Sequence, residues 1–132
     1  MPARTSLWRA ALLVLLVHVL HDLDHLRQGD HVSGEVVGTA VFGWLALAVL
    51  LGLVARGHRY APAYAAGFGV LTAVGFVLVH LLPRWSAFSA SYVEAGADPL
   101  SWVLAVLPIA AGLLLTARAV RTLRAPGAPA TA

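Results

Sequence analysis

The sequence predicts an all-α integral membrane protein, a bundle of four transmembrane helices. Hydrophobic residues make up 60% of the 132 residues and charged residues only 11%, whereas about 25% of a typical soluble domain is charged. The mean hydropathy is +0.82. Four mainly apolar stretches also approach the roughly 20 residues that a bilayer-crossing helix needs. Such a chain cannot cover a water-facing surface, so we expect it to lie in a lipid bilayer.

The four predicted spans follow one another with short connections. They cover about residues 7–26, 36–54, 60–82 and 100–117. We expect them to form one membrane domain over residues 1–124. The remaining residues, 125–132, read APGAPATA and are expected to be a disordered tail.

Residues that start or interrupt helices agree with these spans. Ser6 and Ser33 are expected N-caps of the first two spans, because a hydroxyl can accept a hydrogen bond from an unpaired N–H. Asp98 and Pro99 pair an N-cap residue with proline at the first helical position. Pro108 lies inside the fourth span and leaves a backbone carbonyl that a neighbouring helix or water must satisfy.

Arginine placement predicts the orientation of the bundle. Lysine is absent, and seven of the nine arginines lie at the N-terminus, in the loop between the second and third spans, or at the C-terminal end. These three segments would lie inside if the N-terminus were cytoplasmic. Because basic residues favour the cytoplasmic side, we expect both termini there, in the inner membrane of a bacterium. The first span is expected to remain uncleaved, since no small-residue cleavage motif follows it.

Ionisable side chains other than arginine gather on the opposite, extracytoplasmic side. All six acidic residues and five of the six histidines fall there, namely Asp22, Asp24, Asp30, Glu35, Glu94, Asp98, His18, His21, His25, His31 and His80. Ionisable groups within a membrane are costly and normally face the interior of a bundle. This asymmetry predicts a functional site at that end.

The end of the first span concentrates these groups in the stretch HVLHDLDHLRQGDH, residues 18–31. At about 100° per residue, His18, His21, Asp22 and His25 share one helix face. Leucines and valine occupy the other side. We expect the polar face to be buried in protein or hydrated.

The third span carries a stripe of small residues that predicts close helix packing. Ala61, Ala65, Gly69 and Ala73 recur every four residues, a spacing that lets helix backbones approach closely in membranes. His80 follows seven residues later, on nearly the same face. If the first and third helices are neighbours, His80 meets the histidines of the first helix.

The segment after the third span, RWSAFSASYVEAG, has two interpretations. Trp85, Phe88 and Tyr92 have the spacing of a short amphipathic helix that would lie in the outer interface and cover the histidines as a lid. The same aromatic residues also suit a simple anchoring belt at the membrane surface.

The leading interpretation of the histidine face is a transition-metal site. The expected ligands are His18, His21, Asp22, His25 and His80, with Asp24, His31 and Asp98 as further outer ligands. Imidazole binds Zn, Fe and Cu, and carboxylates can serve as ligands or orient the histidines. The absence of cysteine excludes thiolate ligands. The predicted chemistry is redox or hydrolytic, and the metal identity stays open.

Three other functions remain open at this point. A b-type haem would use one histidine of the first span and His80 as axial ligands. A metal or proton transporter would need polar residues that continue across the membrane, but the second and fourth spans carry no charge below their outer ends. In a non-catalytic accessory subunit, the polar face of the first span would simply be a hydrated helix end. Besides the lipid bilayer, we expect a second copy or another membrane protein as partner. Nucleic acid is excluded, because the arginines form no single patch.

Overall fold

The protein is built from helices joined by short connections. A computed structural model describes residues 2–29 and 34–125. The elements are α1 (Pro2–Gln28), α2 (Gly34–Ala55), α3 (Ala61–Phe76), a π-helical turn that continues α3 (Val77–Leu81), α4 (Tyr92–Ala95) and α5 (Pro99–Arg124).

Four of these helical segments are long and apolar enough to cross a membrane. They are Thr5–Gln28, Gly34–Ala55, Ala61–Leu81 and Pro99–Arg124. The predicted fold class is confirmed to this extent: the described residues form an all-helical bundle with four such helices. Their order alternates up and down, so the ends of α1 and of the π-helical turn and the start of α5 lie at one end of the bundle.

The helix starts agree only in part with the predicted caps. Asp98 caps α5 as predicted, with its side chain accepting a hydrogen bond from the backbone N–H of Ser101 at 3.0 Å. The prediction for Ser6 is wrong, because α1 already begins at Pro2, and proline is well suited to a first helical position. Ser33 lies outside the described residues.

Helix α5 is the central element of the bundle and packs against both α3 and α1. The small-residue stripe of α3 is buried, as predicted, but it faces α5 rather than α1. A Cβ atom on Gly69 would lie 2.4 Å from the carbonyl oxygen of Gly112, and one on Gly112 would lie 2.6 Å from that of Gly69. The two backbones therefore touch at a point that only glycine allows.

Helix α2 packs more loosely than the other three. In its most apolar stretch 11% of the residues are buried inside the protein, against 33% in each of the other spans. The Tyr64 hydroxyl donates a hydrogen bond to the carbonyl of Ala46 at 3.1 Å and ties α2 to α3. Between this hydrogen bond and the end of the bundle that carries His80, a cavity lies between α2 and α3.

The segment between the third and fourth spans does not form the predicted amphipathic helix. Leu82 is extended, with φ −88° and ψ 154°, as expected for a residue that precedes proline. The Ser89 hydroxyl then accepts hydrogen bonds from the backbone of Trp85 and Ser86 and stabilises a turn instead. Helix α4 begins only at Tyr92.

Candidate metal centre

Three histidines from two separate segments meet at one end of the bundle. His21 and His25 lie one turn apart on α1, and His80 belongs to the π-helical turn. One ring nitrogen of each lies within 4.8 Å of the others. The ring centroids are 4.6 Å apart for His21 and His25, 4.7 Å for His21 and His80, and 5.4 Å for His25 and His80. We call these three residues the histidine cluster.

The π-helical turn positions His80. The backbone N–H of Leu82 donates to the carbonyl of Val77, five residues earlier, at 3.2 Å. One extra residue in the turn rotates the following side chains relative to a regular α-helix, and such turns often occur at functional sites. The regular period had already placed His80 near the packing face, and the wider turn brings its ring to the cluster.

The connection after the π-helical turn holds His80 in one tautomer. His80 Nδ1 lies 3.1 Å from the carbonyl oxygen of Ala90. Because a carbonyl only accepts hydrogen bonds, Nδ1 carries the proton and Nε2 carries the lone pair that can bind a metal. The same Ala90 donates its N–H to the carbonyl of Val79 at 2.9 Å, so two hydrogen bonds attach the connection to the turn.

His21 and His25 approach each other through their Nε2 atoms, which are 3.1 Å apart. Two lone pairs repel at this distance, so a proton or a cation must lie between the nitrogens. Two imidazole nitrogens bound to one tetrahedral metal, with bonds of about 2.0–2.1 Å, are roughly 3.3 Å apart. The spacing therefore suits an N–H···N hydrogen bond and also a shared metal ion.

His21 is the most constrained member of the cluster. Its side chain is 3% exposed, and Nδ1 is buried without a hydrogen-bond partner. The backbone of Leu104 in α5 interacts with this ring, although not at full hydrogen-bonding geometry. Pro108 has no N–H to offer the carbonyl four residues earlier, and that carbonyl belongs to Leu104. The carbonyl predicted to need a partner outside its own helix is therefore the one that interacts with His21.

Tyr92 covers the cluster and was not predicted as a site residue. It is 2% exposed, and its ring centroid lies 6.3, 5.9 and 4.9 Å from those of His21, His25 and His80. Its hydroxyl is 3.4 Å from His25 Nε2. The sequence offered Tyr92, Trp85 and Phe88 as one aromatic lid, but the latter two are exposed. Only the path of the connection turns Tyr92 inward.

His18 and Asp22, both predicted ligands, lie outside the group of three. His18 Nδ1 donates to the carbonyl of Val14 at 2.8 Å, and the ring contacts Trp44, Phe68 and Phe76. Asp22 accepts a hydrogen bond from Trp44 Nε1 at 2.6 Å. Both side chains line the cavity beside the cluster.

Two predicted outer ligands, Asp24 and Asp98, belong to a separate polar network between α1 and α5. Buried Asp24 accepts hydrogen bonds from Arg27 Nε and Gln28 Nε2, both at 2.8 Å. Arg27 also binds Asp98 at 2.6 Å and the Ser101 hydroxyl at 3.0 Å. The Ser101 backbone N–H and the Arg27 guanidinium lower the pKa of Asp98 below its usual value. These two carboxylates therefore belong to the contact between α1 and α5. The third predicted outer ligand, His31, lies outside the described residues.

The geometry thus brings together three imidazole nitrogens, a carbonyl that orients His80 and a phenol that covers them. Such a set can hold a single transition-metal ion, because imidazole suits several of these metals. The chain matches no protein-family model, no curated protein and no solved structure at significant similarity.

Proposed function

We propose that the protein is a multi-pass membrane metalloprotein that binds one transition-metal ion through His21, His25 and His80. The observation that carries this proposal is the convergence of three imidazole nitrogens within 4.8 Å around a histidine whose second ring nitrogen is buried and unpaired. A buried polar group without a partner costs about 1–3 kcal/mol. A metal bound at His21 Nε2 would fix the ring proton on Nδ1, where it can be donated to a nearby acceptor.

The residues present fit such an ion. Three imidazoles suit Zn, Fe or Cu, and three protein ligands leave a coordination position open, as in catalytic zinc sites. His21 and His25 already have nearly the roughly 3.3 Å spacing of a tetrahedral site, and His80 must approach them by at most about 1.5 Å. Rotation of the rings can supply this movement. The open position is where redox or hydrolytic chemistry would take place.

The outer hydrogen bonds support the same assignment. Histidines that bind metals almost always donate their other N–H to a carbonyl or carboxylate. His80 already does so with Ala90. His21 bound through Nε2 would carry its proton on Nδ1, and the Leu104 carbonyl is the acceptor that interacts with its ring.

We further propose that the cluster lies at the extracytoplasmic side of a bacterial inner membrane, with both termini in the cytoplasm. The arginine distribution supports this orientation. The three arginines of the last two turns of α5, Arg118, Arg121 and Arg124, lie at the end of the bundle opposite the cluster.

The cluster geometry disfavours haem and a transport path as its role. A porphyrin between two axial histidines would separate their rings, whereas the rings of His21 and His80 are 4.7 Å apart. Among the described residues, the packed interior farther from the cluster is built from apolar side chains such as Val14, Leu50 and Leu115. A relay would need polar groups to continue there.

Metal content of the purified protein tests the proposal. The protein is extracted in mild detergent, stripped with a chelator, and reloaded with Zn(II) or Co(II) before elemental analysis. We expect one ion per chain and, with Co(II), the visible absorption of nitrogen-coordinated cobalt. A preparation that binds neither ion stoichiometrically would contradict the proposal and favour an accessory role. A Soret band as purified would favour haem.

Substituting Pro108 by alanine tests the role of the Leu104 carbonyl. Alanine restores the N–H that the carbonyl lacks, so the carbonyl should bond within its own helix and no longer interact with the His21 ring. We expect Zn(II) affinity to fall by roughly 10–100-fold, as is typical when an outer hydrogen bond to a ligand is lost. Because alanine favours helix far more than proline, the fold should persist. The control is Pro62→Ala in the first turn of α3, and equal affinity of the two variants would refute this role.

A further inference from the structure

A cavity of about 480 Å³ lies between α1, α2, α3 and the π-helical turn, beside the histidine cluster. Its volume is within the range of about 300–1,000 Å³ that is common for small-molecule sites. All three cluster histidines line its outer end, while Phe68 and Leu71 line it deeper in the bundle. The cavity therefore joins the cluster to an apolar interior.

The mouth of the cavity opens sideways between α2 and α3. Val41 and Phe42 on α2 and Leu71 on α3 line it, and their side chains are exposed on the surface of the isolated chain. All three residues lie within membrane-spanning segments, where the surrounding medium is hydrocarbon. A molecule that enters here would come from the bilayer rather than from water.

Few polar groups line this cavity, and they favour an uncharged hydroxyl. His18 Nδ1 donates to the Val14 carbonyl, which leaves Nε2 to accept a hydrogen bond. The Asp22 carboxylate, held by Trp44, would repel an anion, and a metal at the cluster would repel a cation. A hydroxyl can donate to His18 and offer its oxygen to the metal.

We propose that this cavity binds a membrane-dissolved, single-chain alcohol whose hydroxyl oxygen approaches the histidine cluster. The proposal rests on the proposed function, because the metal supplies the open position for the oxygen. It names the substrate class of that site: an apolar molecule with a neutral oxygen head group.

Photolabelling with 3-azioctanol, an eight-carbon alcohol with a diazirine near its hydroxyl, tests the proposal. The full protein in lipid nanodiscs is labelled with and without Zn(II), and adducts are mapped by mass spectrometry. We expect saturable adducts on cavity residues such as Asp22 and Trp44. Unlabelled octanol should compete, whereas octane and octanoate should not.

Two glycine variants separate the cavity from the bilayer. A Cβ on Gly75, which lines the cavity, meets no atom within 4 Å, and the same holds for exposed Gly67 on the same helix. We therefore expect Gly75→Leu to fill the cavity and abolish the competed labelling, and Gly67→Leu to retain it. Labelling that octane competes equally, or that survives Gly75→Leu, would mean that lipid chains alone fill the cavity, and it would overturn the proposal.

Comparing the labelling with and without Zn(II) distinguishes this proposal from the proposed function. Zn(II) should lower the octanol concentration for half-competition by about tenfold, the size expected for one interaction of an oxygen with a charged group. Zn(II) binding without that change would overturn the head-group placement and leave the metal site standing. Octanol competition in a protein that binds no metal would contradict the proposed function instead, and with it the placement of the oxygen.

Discussion

Substituting His21 by alanine is expected to abolish stoichiometric metal binding. His21 is the central ring of the cluster, with its Nε2 at 3.1 Å from that of His25 and its ring centroid at 4.7 Å from that of His80. Removing one of three ligands should cost more than the roughly 10–100-fold that the loss of an outer-shell partner costs. Zn(II) titration and elemental analysis of the reloaded protein measure the effect. His25→Ala and His80→Ala should behave in the same way.

His18→Ala is the matched control, since it removes an imidazole from the same helix one turn deeper. His18 is hydrogen-bonded to its own helix at Val14 and lies outside the group of three. We expect this variant to retain one metal per chain. Circular dichroism would verify that all four variants fold. If His18→Ala lost the metal as completely as His21→Ala, or if His21→Ala retained it, the assignment of the three ligands would be incorrect.

Substituting Gly69 by alanine is expected to destabilise the bundle strongly. The new Cβ would lie 2.4 Å from both the Gly112 carbonyl oxygen and the Thr116 hydroxyl, and 3.0 Å from the Thr116 backbone nitrogen. Backbone atoms cannot rotate away, so α3 and α5 must separate. Overpacking costs about 1–3 kcal/mol and sometimes more, and here it exceeds the roughly 1 kcal/mol that alanine gains over glycine in a helix. Thermal unfolding in detergent measures the loss.

Gly67→Ala provides the comparison within the same helix. Its Cβ would meet no atom within 4 Å, so the helix propensity of alanine should leave the stability unchanged or raise it by up to about 1 kcal/mol. Gly112→Ala should resemble Gly69→Ala, because its Cβ would lie 2.6 Å from the Gly69 carbonyl oxygen. Equal melting temperatures for Gly69→Ala and Gly67→Ala would show that the close crossing does not exist.

The small-residue stripe illustrates how a correct pattern can have an unexpected partner. Its four-residue spacing predicted a buried face, and Ala61, Ala65, Gly69 and Ala73 are buried. The stripe was expected to pack against α1, but its closest contact is with Gly112 of α5. Periodicity specifies which face of a helix is packed, while the identity of the neighbour depends on how all the helices fit together.

The candidate site also combines features that periodicity predicted with contacts that only the tertiary structure decided. The sequence placed His21, His25 and His80 at one end of the bundle because all three follow apolar runs that end on the same side. It also ranked His18 and Asp22 with them, since a helical face extends over several turns. A metal-sized group is much smaller than such a face, so only three of these side chains converge. Tyr92 and the Leu104 carbonyl enter the site through a turn and a proline-interrupted helix.

The sequence by itself predicted the all-helical class, the four helices long and apolar enough to cross a membrane, and the end of the bundle where the histidines meet. These properties follow from composition and periodicity, because burial in lipid requires long apolar helices whatever their arrangement. Only the tertiary structure decided that the small-residue stripe of α3 packs against α5, that a π-helical turn presents His80, and that Tyr92 covers the histidine cluster. Such contacts join residues far apart in the chain at ångström scale, and local sequence patterns do not encode that precision.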